Sequence, residues 1–98
     1  MKAYLSKRAV SAVERIDKRW REYADDPKVF AVEFLAAVER LEATTVPGAP
    51  FPTQKRPKLR RLLMPTTRCH IYFEIDERTE SIQILHVWDG RRQHAPKL

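Results

Sequence analysis

The apolar residues keep a helical period over the first half of the chain and a strand period over the last third. From Ser6 onward, Val10, Val13, Ile16, Trp20 and Tyr23 recur at steps of three and four, with Lys7, Arg8, Glu14, Arg15, Lys18 and Arg19 elsewhere on the surface. That is the spacing of one helical face. Ser6 is placed to cap this helix, because its hydroxyl oxygen can accept an amide hydrogen that the first turn leaves without a partner. The pattern predicts a helix from Ser6 to about Tyr23 or Ala24. The segment "ADDPK" then breaks it. Asp26 is a capping residue, and Pro27 suits the first helical position, where its missing N–H costs nothing. A second helix is expected from about Pro27 to Ala43. Its apolar stripe is Phe30, Phe34, Ala37, Val38 and Leu41, widened by Val29 and Leu35. Two amphipathic helices joined so closely are expected to pack as an antiparallel hairpin.

"TTVPGAPFPTQKRPK" holds four of the seven prolines and reads as a loop. Beyond Lys58 the period becomes two. "LRRLLM" (59–64) is a short strand stopped by Pro65. "RCHIYFEID" (68–76) alternates, with Cys69, Ile71, Phe73 and Ile75 on one face and Arg68, His70, Tyr72 and Glu74 on the other. After the polar turn "DERTES", the run "SIQILHVWD" (81–89) places Ile82, Ile84, His86 and Trp88 on one face and Gln83, Leu85 and Val87 on the other. Tyr4 and Leu5 permit a brief strand at the start of the chain. Three closely connected strands predict an antiparallel meander, whose apolar face needs a cover that the helices can supply. The expected fold is α+β, a single domain over residues 1–98. A helical hairpin packs on a small twisted antiparallel sheet, in the order β-α-α-β-β-β.

Composition narrows the setting. No apolar run approaches the ~18 residues of a membrane span, and the charged first helix leaves no room for the apolar core of a secretory signal. Cys69 is the single cysteine, so it has no internal disulfide partner and no companion thiolate for a metal site. A cytoplasmic setting is expected. The net charge is +6. Residues 1–50 hold nine Lys/Arg against eight Asp/Glu, whereas residues 51–98 hold ten against five. The excess therefore sits in the second half and points to an acidic partner, either nucleic acid or an acidic protein segment. Ordinary surface charge for solubility accounts for the same excess.

Three stretches could carry chemistry. Lys55, Arg56, Lys58, Arg60 and Arg61 are five cations within seven residues. They would hold phosphate, or would blunt an exposed strand edge. Arg68, His70, Tyr72 and Glu74 combine a cation, an imidazole, a phenol and a carboxylate. Such a row could do acid–base work, or could be ordinary cross-strand pairing on a solvated face. The tail "HVWDGRRQHAPKL" brings Trp88, Arg91, Arg92 and His94 to a strand exit, as a working surface or as a frayed end. There is no Gly-rich phosphate loop and no Cys/His metal spacing, so no metal and no cofactor are expected.

With these features in place, the chain resembles the RelE/ParE superfamily, the toxins of type II toxin–antitoxin modules. The resemblance lies in the order of elements, in "VERIDKRWRE", in "LRRLLMPTTRCHIYFEID" and in "ILHVWDGRR" followed by a proline. It covers nearly the whole chain and looks more ParE-like than RelE-like. It implies a cognate antitoxin with an acidic segment that folds on the toxin. It is also the source of the expectations of growth inhibition and plasmid stabilisation. A ParE-like member would poison DNA gyrase without cleaving anything. Lys55, Arg56, Lys58, Arg60, Arg61, Arg68, Trp88, Arg91 and Arg92 would then be its target-binding surface. A RelE-like member would cleave messenger RNA on the ribosome, with Arg68 and Arg91 stabilising the phosphodiester charge and His70 or His94 moving the proton. The usual tail tyrosine of such ribonucleases is absent, and His94 is the group that could replace it.

Overall fold

Ser6 opens the first helix as the pattern predicts, its hydroxyl oxygen accepting the Ala9 amide at 3.0 Å. The computed structural model describes residues 1–45, 47–90 and 95–98. Helix α1 spans Lys7–Tyr23. Its buried face is shifted from the expected stripe. Ala9, Ala12 and Ile16 are buried, and Val13 and Trp20 are packed against them, but Val10 is exposed and Tyr23 is 82% exposed. Two alanines let the helix axis approach the sheet more closely than valines would, and this selects the face.

Helix α2 spans Val29–Ala43. It starts later than the expected Pro27. The Asp26 carboxylate accepts the Lys28 amide at 3.0 Å, and its carbonyl accepts the Val29 amide at 3.3 Å. Asp26 therefore caps a turn that precedes the helix proper. Phe30, Phe34, Ala37 and Leu41 are buried as expected, with the two phenyl rings stacked at 5.9 Å. Leu35 points outward and is exposed.

Five strands form one sheet. They are β1 (Lys2–Leu5), β2 (Ala49–Pro50), β3 (Arg60–Met64), β4 (Cys69–Asp76) and β5 (Ser81–Asp89), in the spatial order β1-β5-β4-β3-β2. The element order is the expected one, with the short β2 added at one edge. The β3–β4–β5 meander is antiparallel. At the other edge β1 lies parallel to β5, from Lys2 opposite Ser81 to Leu5 opposite Ile84, which makes the sheet mixed. The helices cover one face. The core between them holds Ile16, Phe30, Phe34 and Leu41 against Met64, Ile71, Phe73, Ile82, Ile84 and Val87.

The uniform alternation expected for residues 81–89 does not hold. Tyr72 pairs with His86 but Phe73 pairs with Ile84, so Leu85 is an extra residue in the ladder. Such a bulge reverses the facing of everything beyond it. Ile82 and Ile84 face the helices, as expected. Past the bulge it is Val87 that joins them, and His86 and Trp88 move to the open face. The Leu85 carbonyl accepts the Ser6 hydroxyl at 2.9 Å, which ties the bulge to the start of α1.

Gly48 shows how tightly the far edge is closed. Its φ of +66° lies in the left-handed region, and a Cβ there would sit 2.5 Å from the Arg61 carbonyl oxygen. Gly48→Ala should destabilise the chain by about 1–3 kcal/mol. Leu41→Ala should cost about 2–5 kcal/mol through the cavity it leaves, whereas exposed Val32→Ala should cost under about 0.5 kcal/mol. Urea denaturation of the three variants measures this ranking.

Candidate functional site

The open face is built from two transverse rows. Arg61, Tyr72 and His86 lie opposite one another on β3, β4 and β5. Leu63, His70 and Trp88 form the next row toward the β3–β4 turn. On the other side of the bulge, Glu74 pairs with Gln83. This face is not simply solvated. Tyr72 is 1% exposed and His86 is 3% exposed. Phe51, from the proline-rich loop, packs edge-on against Tyr72 with ring centroids 5.6 Å apart. The Arg61 guanidinium lies 4.3 Å above the Phe51 ring. Burying a large aromatic contributes roughly 1.5–3 kcal/mol, against about 0.5–1 kcal/mol for a partly exposed cation over a ring. Apolar burial therefore docks the loop, and the cation orients it. The signal for Phe51 was in the chain: a large aromatic between Pro50 and Pro52 has few places to go except onto a neighbour.

The expected row of Arg68, His70, Tyr72 and Glu74 is taken apart. Arg68 is not in the strand. It occupies the β3–β4 turn with φ at 63°, and its side chain is exposed. Tyr72 is buried under Phe51. Glu74 is engaged by Arg56, whose Nη1 lies 3.0 Å from its Oε1. His70 remains half-exposed, with its ring 6.2 Å from that of Tyr72. Burial, and then the nearby Arg61 charge, hold its pKa below the ordinary imidazole value. A neutral imidazole at neutral pH can accept a proton or a hydrogen bond.

The basic cluster is divided too. Arg60 and Arg61 are neighbours in a strand and so point to opposite faces. Arg60 is used structurally, its Nε donating to the Pro47 carbonyl at 2.9 Å and its Nη2 to that of Gly48 at 3.2 Å. Lys58 is exposed beside a surface cavity of about 330 Å³ that includes Glu74, Asp76 and Glu77. Lys55 is exposed beside another cavity, of about 370 Å³, between Thr53–Lys55 and Pro96–Leu98. The Lys97 carbonyl accepts Arg8 Nη1 at 2.9 Å, so the last residues are tied to the first turn of α1. Arg91, Arg92 and His94 lie outside the described residues. Trp88 is half-buried on the open face, beside the His86 ring at 5.6 Å. Next to it Asp89, 5% exposed, takes an ion pair from Arg19 of α1 at 3.0 Å.

The end of the face where His70 and Trp88 lie is held by contacts that left no periodic signal in the sequence. Glu33 of α2 accepts the Thr66 amide at 2.6 Å, the Thr67 amide at 2.9 Å and the Thr67 hydroxyl at 2.6 Å. Burial alone would raise the Glu33 carboxyl, but these hydrogen bonds outweigh it and lower the pKa. They steady a turn that carries a non-glycine residue in the left-handed region, a conformation that costs about 1–2 kcal/mol. The Arg68 carbonyl in turn accepts the Gly90 amide at 2.8 Å. A Cβ at Gly90 would collide with that carbonyl, so only glycine fits there. Among the described residues there is no group of three or more His, Cys, Asp or Glu that could hold a metal ion, and no helix is long and apolar enough to cross a membrane.

With this geometry in view, the comparisons with known proteins concern the fold. No protein-family model and no curated protein matches the chain. Among solved structures, a chain of the chromosomal ParDE toxin–antitoxin system from P. aeruginosa superposes with a TM-score of 0.72 at 18% identity, covering 91% of this chain and 95% of that one. The isolated E. coli RelE toxin superposes with a TM-score of 0.56 at 14% identity, covering 95% and 87%. The chain shares the fold of these two proteins, and of the two it superposes better on the ParDE chain.

The His70 environment makes a test of the face. A folded-state pKa below the unfolded value means that stability is fully present above the unfolded value and is lost as pH falls, beginning near pH 6.5. In an NMR titration His70 should show a midpoint below that of a free imidazole. Arg61→Gln should move the midpoint up only part of the way, because burial is the larger cause and remains.

Proposed function

We propose that this chain is the toxin of a type II toxin–antitoxin module, ParE-like, which inhibits DNA gyrase by binding it. It is neutralised by a cognate antitoxin through an acidic segment. The observation that carries this reading is the superposition on the ParDE chain across nearly the full length of both proteins. The open face supports binding over catalysis. Its phenol is buried, its carboxylate is ion-paired, and the accessible remainder is His70, Trp88 and Leu63 with Arg61 and Arg68. Aromatics and arginines of this kind anchor protein interfaces. The +5 balance of residues 51–98 suits an acidic partner segment. The action is in the cytoplasm, where gyrase and its DNA are found.

One observation favours a second reading, a RelE-like messenger-RNA endoribonuclease. His70 is held neutral beside the Arg61 cation, a pairing that could accept a proton next to a developing phosphate charge.

Purified chain should inhibit gyrase supercoiling. Failure at large molar excess would remove the gyrase reading. Trp88→Ala and Arg68→Glu should each weaken inhibition about tenfold or more if this end of the face is the anchor. Primer extension on translated messages separates the second reading. It requires discrete cuts that vanish in His70→Gln, and intact messages under growth arrest exclude it.

A further inference from the structure

We propose that Glu33, on the helical hairpin, is the positioning residue for the end of the open face that presents Arg68, His70 and Trp88. The inference rests on the reading above that this face binds a target. The contacts are continuous. Glu33 takes three hydrogen bonds from Thr66 and Thr67, and Thr67 is 1% exposed. The next residue is Arg68, fixed in the left-handed region by its own amide bonding back to the Met64 carbonyl at 2.9 Å. The Arg68 carbonyl holds the Gly90 amide at 2.8 Å. Gly90 lies over His70, since a Cβ on it would be 3.5 Å from His70 Cε1. Trp88 pairs with His70 across the ladder. A carboxylate on the far side of the sheet from the target thus sets the turn, the turn sets the strand exit, and the exit frames the imidazole.

No side chain other than a carboxylate could do this from the same place. The turn offers two amide donors and one hydroxyl donor, and only an acceptor with two oxygens can take them all. A glutamine there must turn an NH₂ donor toward one of those donors.

The experiment uses the full chain and NMR. Amide exchange at Thr67 and Gly90 is compared with that at Ile71 and Ile84 in the core, together with the His70 Cε1–H resonance. Ile16→Val serves as a control that loosens the core without touching the turn. Glu33→Gln should accelerate exchange at Thr67 and Gly90 about tenfold relative to the core amides and shift the His70 signal. Thr67→Val removes only the hydroxyl donor and should give a smaller change of the same kind, which keeps the test open if Glu33→Gln folds poorly. Uniform acceleration, as in Ile16→Val, or no change at Gly90, overturns the proposal. Gyrase inhibition is measured alongside. Its absence in the unaltered chain counts against the proposed target and leaves the exchange result to decide the role of Glu33. Inhibition that is undiminished in Glu33→Gln, despite faster Gly90 exchange, overturns the positioning role.

Discussion

Between Tyr72 and Phe73 the central ladder of the sheet takes in one extra residue, Leu85, and the make-up of both faces of β5 depends on that insertion. Without it, Ile82, Ile84, His86 and Trp88 would share a face, and an imidazole and an indole would lie under the helices. With it, the helices receive Ile82, Ile84 and Val87, and the two polar-edged rings go to the open face beside Tyr72 and His70. A bulge leaves backbone groups that the ladder cannot pair. Ser6 answers this from outside. Its hydroxyl donates to the Leu85 carbonyl while its oxygen accepts the first-turn amide of α1, and its own amide donates to Ile84. One serine thus joins helix start, edge strand and bulge.

Much of the fold was legible in the sequence because its signals are local. The helix spans, the Ser6 cap, the proline loop and the two long strands fall within a residue or two of where they are expected, although α1 buries Ala9 and Ala12 in place of Val10 and Tyr23. The bulge was not legible, because "SIQILHVWD" alternates cleanly in either phase and only the partner strand reveals the extra residue. The site was less legible than the fold. Counting Lys55 to Arg61 as one basic patch neglected the strand period, which sends Arg60 and Arg61 to opposite faces. Treating residues 68–76 as half-solvated overlooked Phe51, whose position between prolines was a clue. Glu33 gave no clue at all, since a glutamate beside an apolar helical stripe is ordinary and its turn lies thirty-three residues further along the chain.

Charge is distributed by use. Arg60 holds the Pro47–Gly48 backbone, Arg56 is paired with Glu74, Arg19 with Asp89, and Arg61 rests on Phe51. Of the cations at positions 55–68, those that stay exposed and outside these pairings are Lys55, Lys58 and Arg68. The run of five cations from Lys55 to Arg61 is therefore not one continuous charged patch.

The parallel pairing of β1 with β5 sets the order in which the chain can finish folding on the ribosome. Lys2 lies opposite Ser81, so the first strand made waits for nearly the last. At synthesis rates of about 5–20 residues per second, that wait is several seconds. During it the helical hairpin exists without the sheet that buries its apolar stripe, and the open face does not exist at all. A truncated product lacking β5 would lack both the β4–β5 ladder and the only strand that β1 pairs with among the described residues.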